Sequence, residues 1–477
     1  MPVRADLKWF YGLGFAFLAL NLICFAFDFY FSILLPFVPV ILYVMLVRTD
    51  LLLYILAFAT PLSIPFKDIG GGIGLIVPTE PLILFLFLGF GFKLMKGQQL
   101  NMKVLKNPIV LVVMLNVLWL IITSFTSVRP LISAKYTLSY IWYVFVFLIV
   151  LAHFFQKERR IRIFLWCFSI ATTILVAYTL KNHAAESFTR LYAYTAMRPF
   201  LPDHGMYAAA ISFVIPVMMV FALFGLKSNF NGFAVSMATF VFIFVTLGVI
   251  FSFTRASWLS LVVAIGVFFL LMFKVQFRSI VMIGLVGIGA VLLFQNTILM
   301  ELGRNKQDSD DDIEEHLQSF SNVSTDPSNL ERLNRWSSAS RMFQDKPIVG
   351  FGPGTYTFEY GPYQLSSEMT IISTNAGDLG NVHSEYLRPF AESGVLGGLL
   401  FLALVIITLR EGFALFYAAD SNHIRILVLG CLLGLITYFA HGLLNNYSEF
   451  DKIAVPMWGF MAVLVAVRAF HLPVKTD

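Results

Sequence analysis

Arg255, Arg332, His383, Glu385 and Glu392 are residue types that can hold a phosphate and move a proton, and the last four belong to one polar stretch. That stretch runs from about Leu302 to Gly394 and is the longest polar segment of an otherwise apolar chain. It carries Arg332-Leu-Asn-Arg-Trp336, then Pro347-Ile-Val-Gly-Phe-Gly-Pro-Gly354, then Asn381-Val-His383-Ser-Glu-Tyr-Leu387, and ends in Ala391-Glu392-Ser-Gly394. Guanidinium groups present a planar fork of donors that suits phosphate better than an ammonium does. An imidazole with an ordinary, near-neutral pKa can take a proton from a hydroxyl. If this chain does chemistry, it is expected here.

The elements that must position these groups are membrane helices. Hydrophobic residues make up 58% of the chain and charged residues 13%, about half the charged share of a soluble domain. Mean hydropathy is +0.80. Apolar runs of about 18 or more residues recur, each able to cross a hydrocarbon core about 30 Å thick, and they do not alternate as barrel strands would. The expectation is an all-α, polytopic integral membrane bundle with spans near 9–28, 32–48, 51–66, 76–95, 108–127, 134–154, 161–180, 205–226, 232–252, 256–273, 279–296, 394–410, 425–443 and 454–471. Segments 32–48 and 51–66 are short and broken by Pro36, Pro39, Pro61 and Pro65, so the number of spans is about 12–14. The first apolar run is too long for a signal sequence and has no small-residue cleavage site, so it reads as a retained helix. The chain divides into N-terminal helices (1–231), helices carrying Arg255 (232–297), a large loop (298–393) and C-terminal helices (394–477).

Charge sets the orientation. Arg4 with Lys8, Lys93 to Lys106, Lys157 to Arg162, Lys227, Lys274 with Arg278, Arg410 with Arg425, and Arg468 with Lys475 all fall on one side of these spans. The positive-inside rule makes that side cytoplasm, with both termini there and the large loop outside. Cys24, Cys167 and Cys431 lie within apolar spans and read as small packed residues. No Walker loop, Rossmann fingerprint or His-Glu-x-x-His pair occurs, so ATP-driven pumping and zinc proteolysis lack their signatures, and nothing suggests nucleic acid. The acidic run Asp308–Glu315 lacks the glycine and terminal glutamate of a calcium loop and reads as solvated surface.

Arg255 lies in Phe251-Ser-Phe-Thr-Arg-Ala-Ser-Trp258, with only a few residues to turn between two spans, which places it at the outer membrane face. It can snorkel to headgroups or pair with a loop glutamate, or it can hold a phosphate, and spacing alone leaves both open. Leu330 to Phe343 reads as an amphipathic helix, with Arg335 and Arg341 on other faces than Arg332 and serving lipid-surface roles. Gly350, Gly352 and Gly354 make a tight turn, able to cradle an anion or merely to connect. A second helical segment is expected to begin at His383 and run through Glu385 to Glu392.

Together Thr254-Arg-Ala-Ser-Trp258, Arg332-Leu-Asn-Arg-Trp336 with its Pro347–Gly354 turn, His383-Ser-Glu-Tyr-Leu387 with Glu392 and Gly394, and His441-Gly-Leu-Leu-Asn-Asn446 resemble the O-antigen ligase and polymerase superfamily. The resemblance covers about Gly232 to Ala466. Ala256-Ser257 stands where the family often has Gly-Ala, and His383-Ser384 where it often has His-Asn. It implies a GT-C-like bundle of the bacterial inner membrane acting at its periplasmic face. The donor would be a polyprenyl-diphosphate-linked glycan and the acceptor a lipid A core or growing glycan, in a bed of membrane lipids. Arg255 and Arg332 would grip the diphosphate and His383 would activate the acceptor hydroxyl, with inversion at the anomeric centre and neither cofactor nor metal. Arg198, His204, Glu385, Glu392 and His441 are candidate supporting residues, and Arg190 a weaker one. Ligation to lipid A core leads, with glycan polymerisation and protein glycosylation as alternatives. A carrier of lipid-linked glycan would show two similar halves, which this chain lacks. A scaffold would leave the arginine and histidine set unexplained.

Overall fold

The computed structural model describes residues 3–26, 32, 43–44, 48–66, 74–279, 282, 284, 327–374 and 380–472, with backbone alone for 3–10 and 327–328. Hydrocarbon offers no partner to backbone donors and acceptors, so apolar runs close their own hydrogen bonds as helices. In chain order these are α1 (Val3–Ala26), α2 (Thr49–Ala59), α3 (Thr79–Met95), α4 (Pro108–Phe125), α5 (Pro130–Phe154), α6 (Glu158–Ala185), α7 (His204–Phe224), α8 (Gly232–Ile250) and α9 (Arg255–Met272). The polar helix α10 (Pro327–Asp345) follows, then α11 (Leu387–Ala418), α12 (Asn422–His441) and α13 (Asp451–His471). Among the described residues nine helices are long and apolar enough to cross a membrane, namely α4 to α9 and α11 to α13. They coincide with nine of the spans expected from sequence. The protein is a polytopic helical membrane protein.

The ends of these helices show why they start where they do. Asn107, Asp203, Asn231 and Ser421 each accept a hydrogen bond from a backbone amide of the helix they open, which satisfies a donor the helix cannot. The expected helix over 51–66 is different. The helix α2 gives way at Thr60–Leu62, and Ile64–Phe66 forms a strand, β1, paired antiparallel with β2, Leu75–Val77. Proline explains the change: Pro61 enters a tight turn and Pro65 has no amide to continue a helix. The expected spans 32–48 and 279–296 and the acidic run 308–315 lie mostly or wholly outside the described residues.

Burial ranks the helices. In α13, 89% of the apolar window is buried within the protein, and in α12 83%, against 28% in α8. The helix α12 packs on α7, α9, α11 and α13, so the last two helices form the axis and earlier ones surround them. The helix α10 lies on α11, and α11 in turn packs along α4. The loop-side ends of α7, α9, α11, α12 and α13 therefore converge beneath α10.

Candidate active site at the loop-side membrane edge

A chain of polar groups joins segments far apart in sequence. His383 Nδ1 stands 3.5 Å from Asn445 Oδ1, Asn445 Nδ2 is 3.1 Å from His441 Nε2, and His441 Nδ1 is 3.2 Å from Ser257 Oγ. Direction follows from the middle member. The Asn445 amide donates through nitrogen to His441 and accepts through oxygen, so His441 carries its proton on Nδ1 and donates to Ser257, while His383 presents Nδ1–H to Asn445 and keeps Nε2 as its acceptor nitrogen. Tyr447 also donates to Asn445 Oδ1, at 3.4 Å. His441, Asn445 and Ser257 are buried, which makes such a network rigid when its members are satisfied.

Arg332 roofs this relay. It sits on α10 and donates through Nε to the Leu444 carbonyl at 3.3 Å and through Nη1 to Asn329 Oδ1 at 3.1 Å. One turn further, Trp336 Nε1 donates to the His383 carbonyl at 3.2 Å. Burial and then the Arg332 guanidinium push the His383 pKa down to about 4, so the near-neutral value expected from sequence is corrected. His383 does not open a helix either. Its φ is 54°, in the left-handed region, its amide donates to Asn381 Oδ1 at 3.0 Å, and α11 begins only at Leu387.

Arg255 is the first residue of α9 and is half-buried. The turn before it occupies residues 251–254 and includes Phe253 at φ 51°. Thr254 does not cap α9; its hydroxyl donates instead to the His204 carbonyl at 3.2 Å, tying α9 to the start of α7. Trp258 Nε1 donates to the Val249 carbonyl at 3.0 Å and closes the turn. Arg255 thus stands at the positive end of a helix dipole, where a cation is disfavoured and an anion favoured.

His204 opens α7, against the ring of Tyr194 at 4.2 Å, and its buried Nδ1 has no hydrogen-bond partner among the described residues. Arg190 and Arg332 both act electrostatically on His204. Arg198 is exposed, and its carbonyl accepts from Tyr178 at 2.9 Å; no contact joins it to the relay among the described residues.

Glu385 and Glu392 are structural clamps. Glu385 accepts from the Tyr447 and Ser448 amides, both at 2.7 Å, from Ser448 Oγ at 2.9 Å and from the Tyr438 hydroxyl. Glu392 accepts from the Gly354 and Tyr356 amides at 2.9 and 3.1 Å and from Arg388 Nε at 3.1 Å. The glycine turn does cradle an anion, and that anion is Glu392. Gly394 at φ 68° kinks α11 beneath the turn, and a side-chain carbon there would meet the Ile348 carbonyl oxygen at 2.1 Å. The expected surface role of Arg335 is overturned. Arg335 is 3% exposed, bonds Glu331 at 2.5 Å and stacks 4.0 Å over Tyr360, holding the loop's own core. Burial opposes ionisation of Glu331, but Ser373 and Arg335 outweigh it and leave its pKa lowered. Arg341 is half-exposed and pairs with Glu368.

Asn445 and Ser257 were passed over in sequence, although His441 and Asn445 stand four apart in a quoted motif. Arg388, four residues before Glu392, was legible as a helical ion pair and was also missed. No curated protein matches the chain. Residues 240–402 match a family model described as O-antigen ligase. That stretch includes Arg255, Ser257, Arg332 and His383, while the relay reaches beyond it to His441 and Asn445. Over that stretch, about a third of its length, the chain is similar to the O-antigen ligase family.

Proposed function

We propose that the protein is an O-antigen ligase that moves a glycan from a polyprenyl-diphosphate carrier to a hydroxyl of lipid A core, at the periplasmic face of the bacterial inner membrane. The observation that carries this reading is the relay from His383 through Asn445 and His441 to Ser257, roofed by Arg332. The acceptor hydroxyl attacks the anomeric carbon and gives its proton to His383 Nε2. The bond from that carbon to the diphosphate oxygen breaks, and its electron pair leaves with the polyprenyl diphosphate. Arg332 and Arg255 stabilise the negative charge as it develops, and the opening amides of α9 add their dipole. Attack opposite the leaving group inverts the anomeric centre. Asn445 holds the His383 ring in the tautomer that leaves Nε2 basic.

Chromatography of envelope glycans tests this in cells whose own gene is deleted and replaced by wild type or by His383→Gln. Wild type should restore glycan on lipopolysaccharide. His383→Gln should reduce transfer by about 10²–10⁴-fold, the usual worth of a general base, with lipid-linked polymer accumulating. Single capped repeats in the deletion strain would instead mark a polymerase. Near-normal glycan from well-expressed His383→Gln protein would remove the histidine from the role of base.

A further inference from the structure

On the other side of the connection between α12 and α13 lies a cavity of about 290 Å³, lined by Lys135, Tyr136, Ser139, Tyr140, Glu449 and Trp458 among others. A smaller pocket of about 50 Å³ adjoins it, sharing Tyr136, Tyr140, Ser448 and Trp458 and reaching Arg388. Arg388 is 5% exposed and already engages Glu392 and Glu449, each at 3.1 Å, and the ring of Tyr136. Its Nη1 is buried and has no hydrogen-bond partner among the described residues. A buried cationic donor left unsatisfied is costly unless something arrives to accept from it.

We propose that this cavity binds a sugar ring of the acceptor glycan, an inference that rests on the transferase reading above. Tyrosine and tryptophan rings offer an apolar face and a polar edge, which is the pattern a pyranose presents in reverse. Lys135, Ser139, Ser448 and Glu449 supply donors and acceptors around those rings. Charge disfavours the donor's diphosphate: Lys135 and Arg388 face Glu449, Glu385 and Glu392 across the two pockets, whereas Arg332 stands over His383 and Arg255 opens α9. The volume lies at the lower edge of small-ligand sites, about 300 Å³. Position links it to the chemistry. Asn445 touches His383 and Glu449 lines the cavity, and four residues of chain span at most about 14 Å. A glycan held in the cavity would therefore keep its neighbouring sugars within about 14 Å of the residue that orients the base.

Ser139→Trp fills the cavity, and Lys135→Glu reverses its one lysine at an exposed position where folding is not at stake. Binding of lipid A–core oligosaccharide to purified protein without donor, and KM for acceptor and donor in the transfer assay, are measured for wild type and both variants. Acceptor affinity should weaken by about tenfold or more, the equivalent of about 1.4 kcal/mol, and KM for acceptor should rise in step. KM for donor and kcat at saturating acceptor should hold. Unchanged acceptor binding in both folded variants, or an equal rise in donor KM, overturns the cavity assignment. Wild-type protein that binds the core oligosaccharide in this cavity yet transfers nothing would overturn the transferase reading and leave the sugar site standing.

Discussion

As the general base proposed above, His383 would be subject to two opposed demands, since a base works best with a pKa near the operating pH, while burial and Arg332 push this imidazole down to about 4. A diphosphate bound at Arg332 would offset that guanidinium and raise the pKa toward the ordinary value of about 6.5. On that proposal the base would be strengthened by the substrate it serves. In pH–rate profiles, kcat/KM should retain its acid limb down to about pH 4, while the limb of kcat lies at higher pH because the donor is bound. Replacing Arg332 by glutamine removes a cation that disfavours protonation, so the free-enzyme limb should move upward in pH. An unmoved limb in that variant would show that Arg332 does not act on the base. Arg255, Arg332, His383 and His441 were nameable from type and spacing, but Asn445 and Ser257 were not, and neither was the state of the histidines. The guanidinium of Arg332, the shelter around His383 and the orienting amide of Asn445 come from separate stretches of chain. Arg335 shows the same limit: helical spacing separates it from Arg332 but cannot reveal that Tyr360 and Glu331 enclose it.

Among the elements, α11 and the glycine turn show what pattern can and cannot reveal. Long apolar runs fixed the spans, because hydrocarbon leaves the backbone little choice. Short polar segments were harder, since tertiary contacts decide them. The segment from His383 has helical composition but is non-helical until Leu387, with the His383 amide donating to Asn381 and its carbonyl accepting from Trp336. The proline-rich stretch after α2 became a hairpin. The Gly394 kink is the sharpest local requirement: φ 68° and ψ −168° form a conformation nearly reserved for glycine, and Gly350 packs against the backbone of Glu392. Gly394→Ala should cost about 1–3 kcal/mol in backbone strain before the clash with Ile348 is counted. Thermal melting in detergent followed by size-exclusion chromatography should show a lower transition and less monodisperse protein. A melting curve matching wild type would mean that the turn and α11 are not locked together.

Across the whole molecule, the alternation of basic clusters gives an orientation that chemistry can check. Ser366, exposed in the loop, and Ser421, exposed before α12, lie at opposite ends of the bundle. With cysteine at these positions, an impermeant thiol reagent should label Ser366→Cys in intact spheroplasts and spare Ser421→Cys. The reverse pattern would move the site to the cytoplasm. The burial of α13 has a further consequence, for the order of assembly. Among the described residues it is the most enclosed of nine spans and follows the other eight, so the ribosome supplies them before it. Until it arrives, α12 holds only half of the axis against α5 and α7, and Ser63 waits for Asp451 and Lys452, the buried charged pair that opens α13. Biogenesis must therefore keep the earlier helices from closing on one another, and the site above them cannot take shape until α13 has slipped between them.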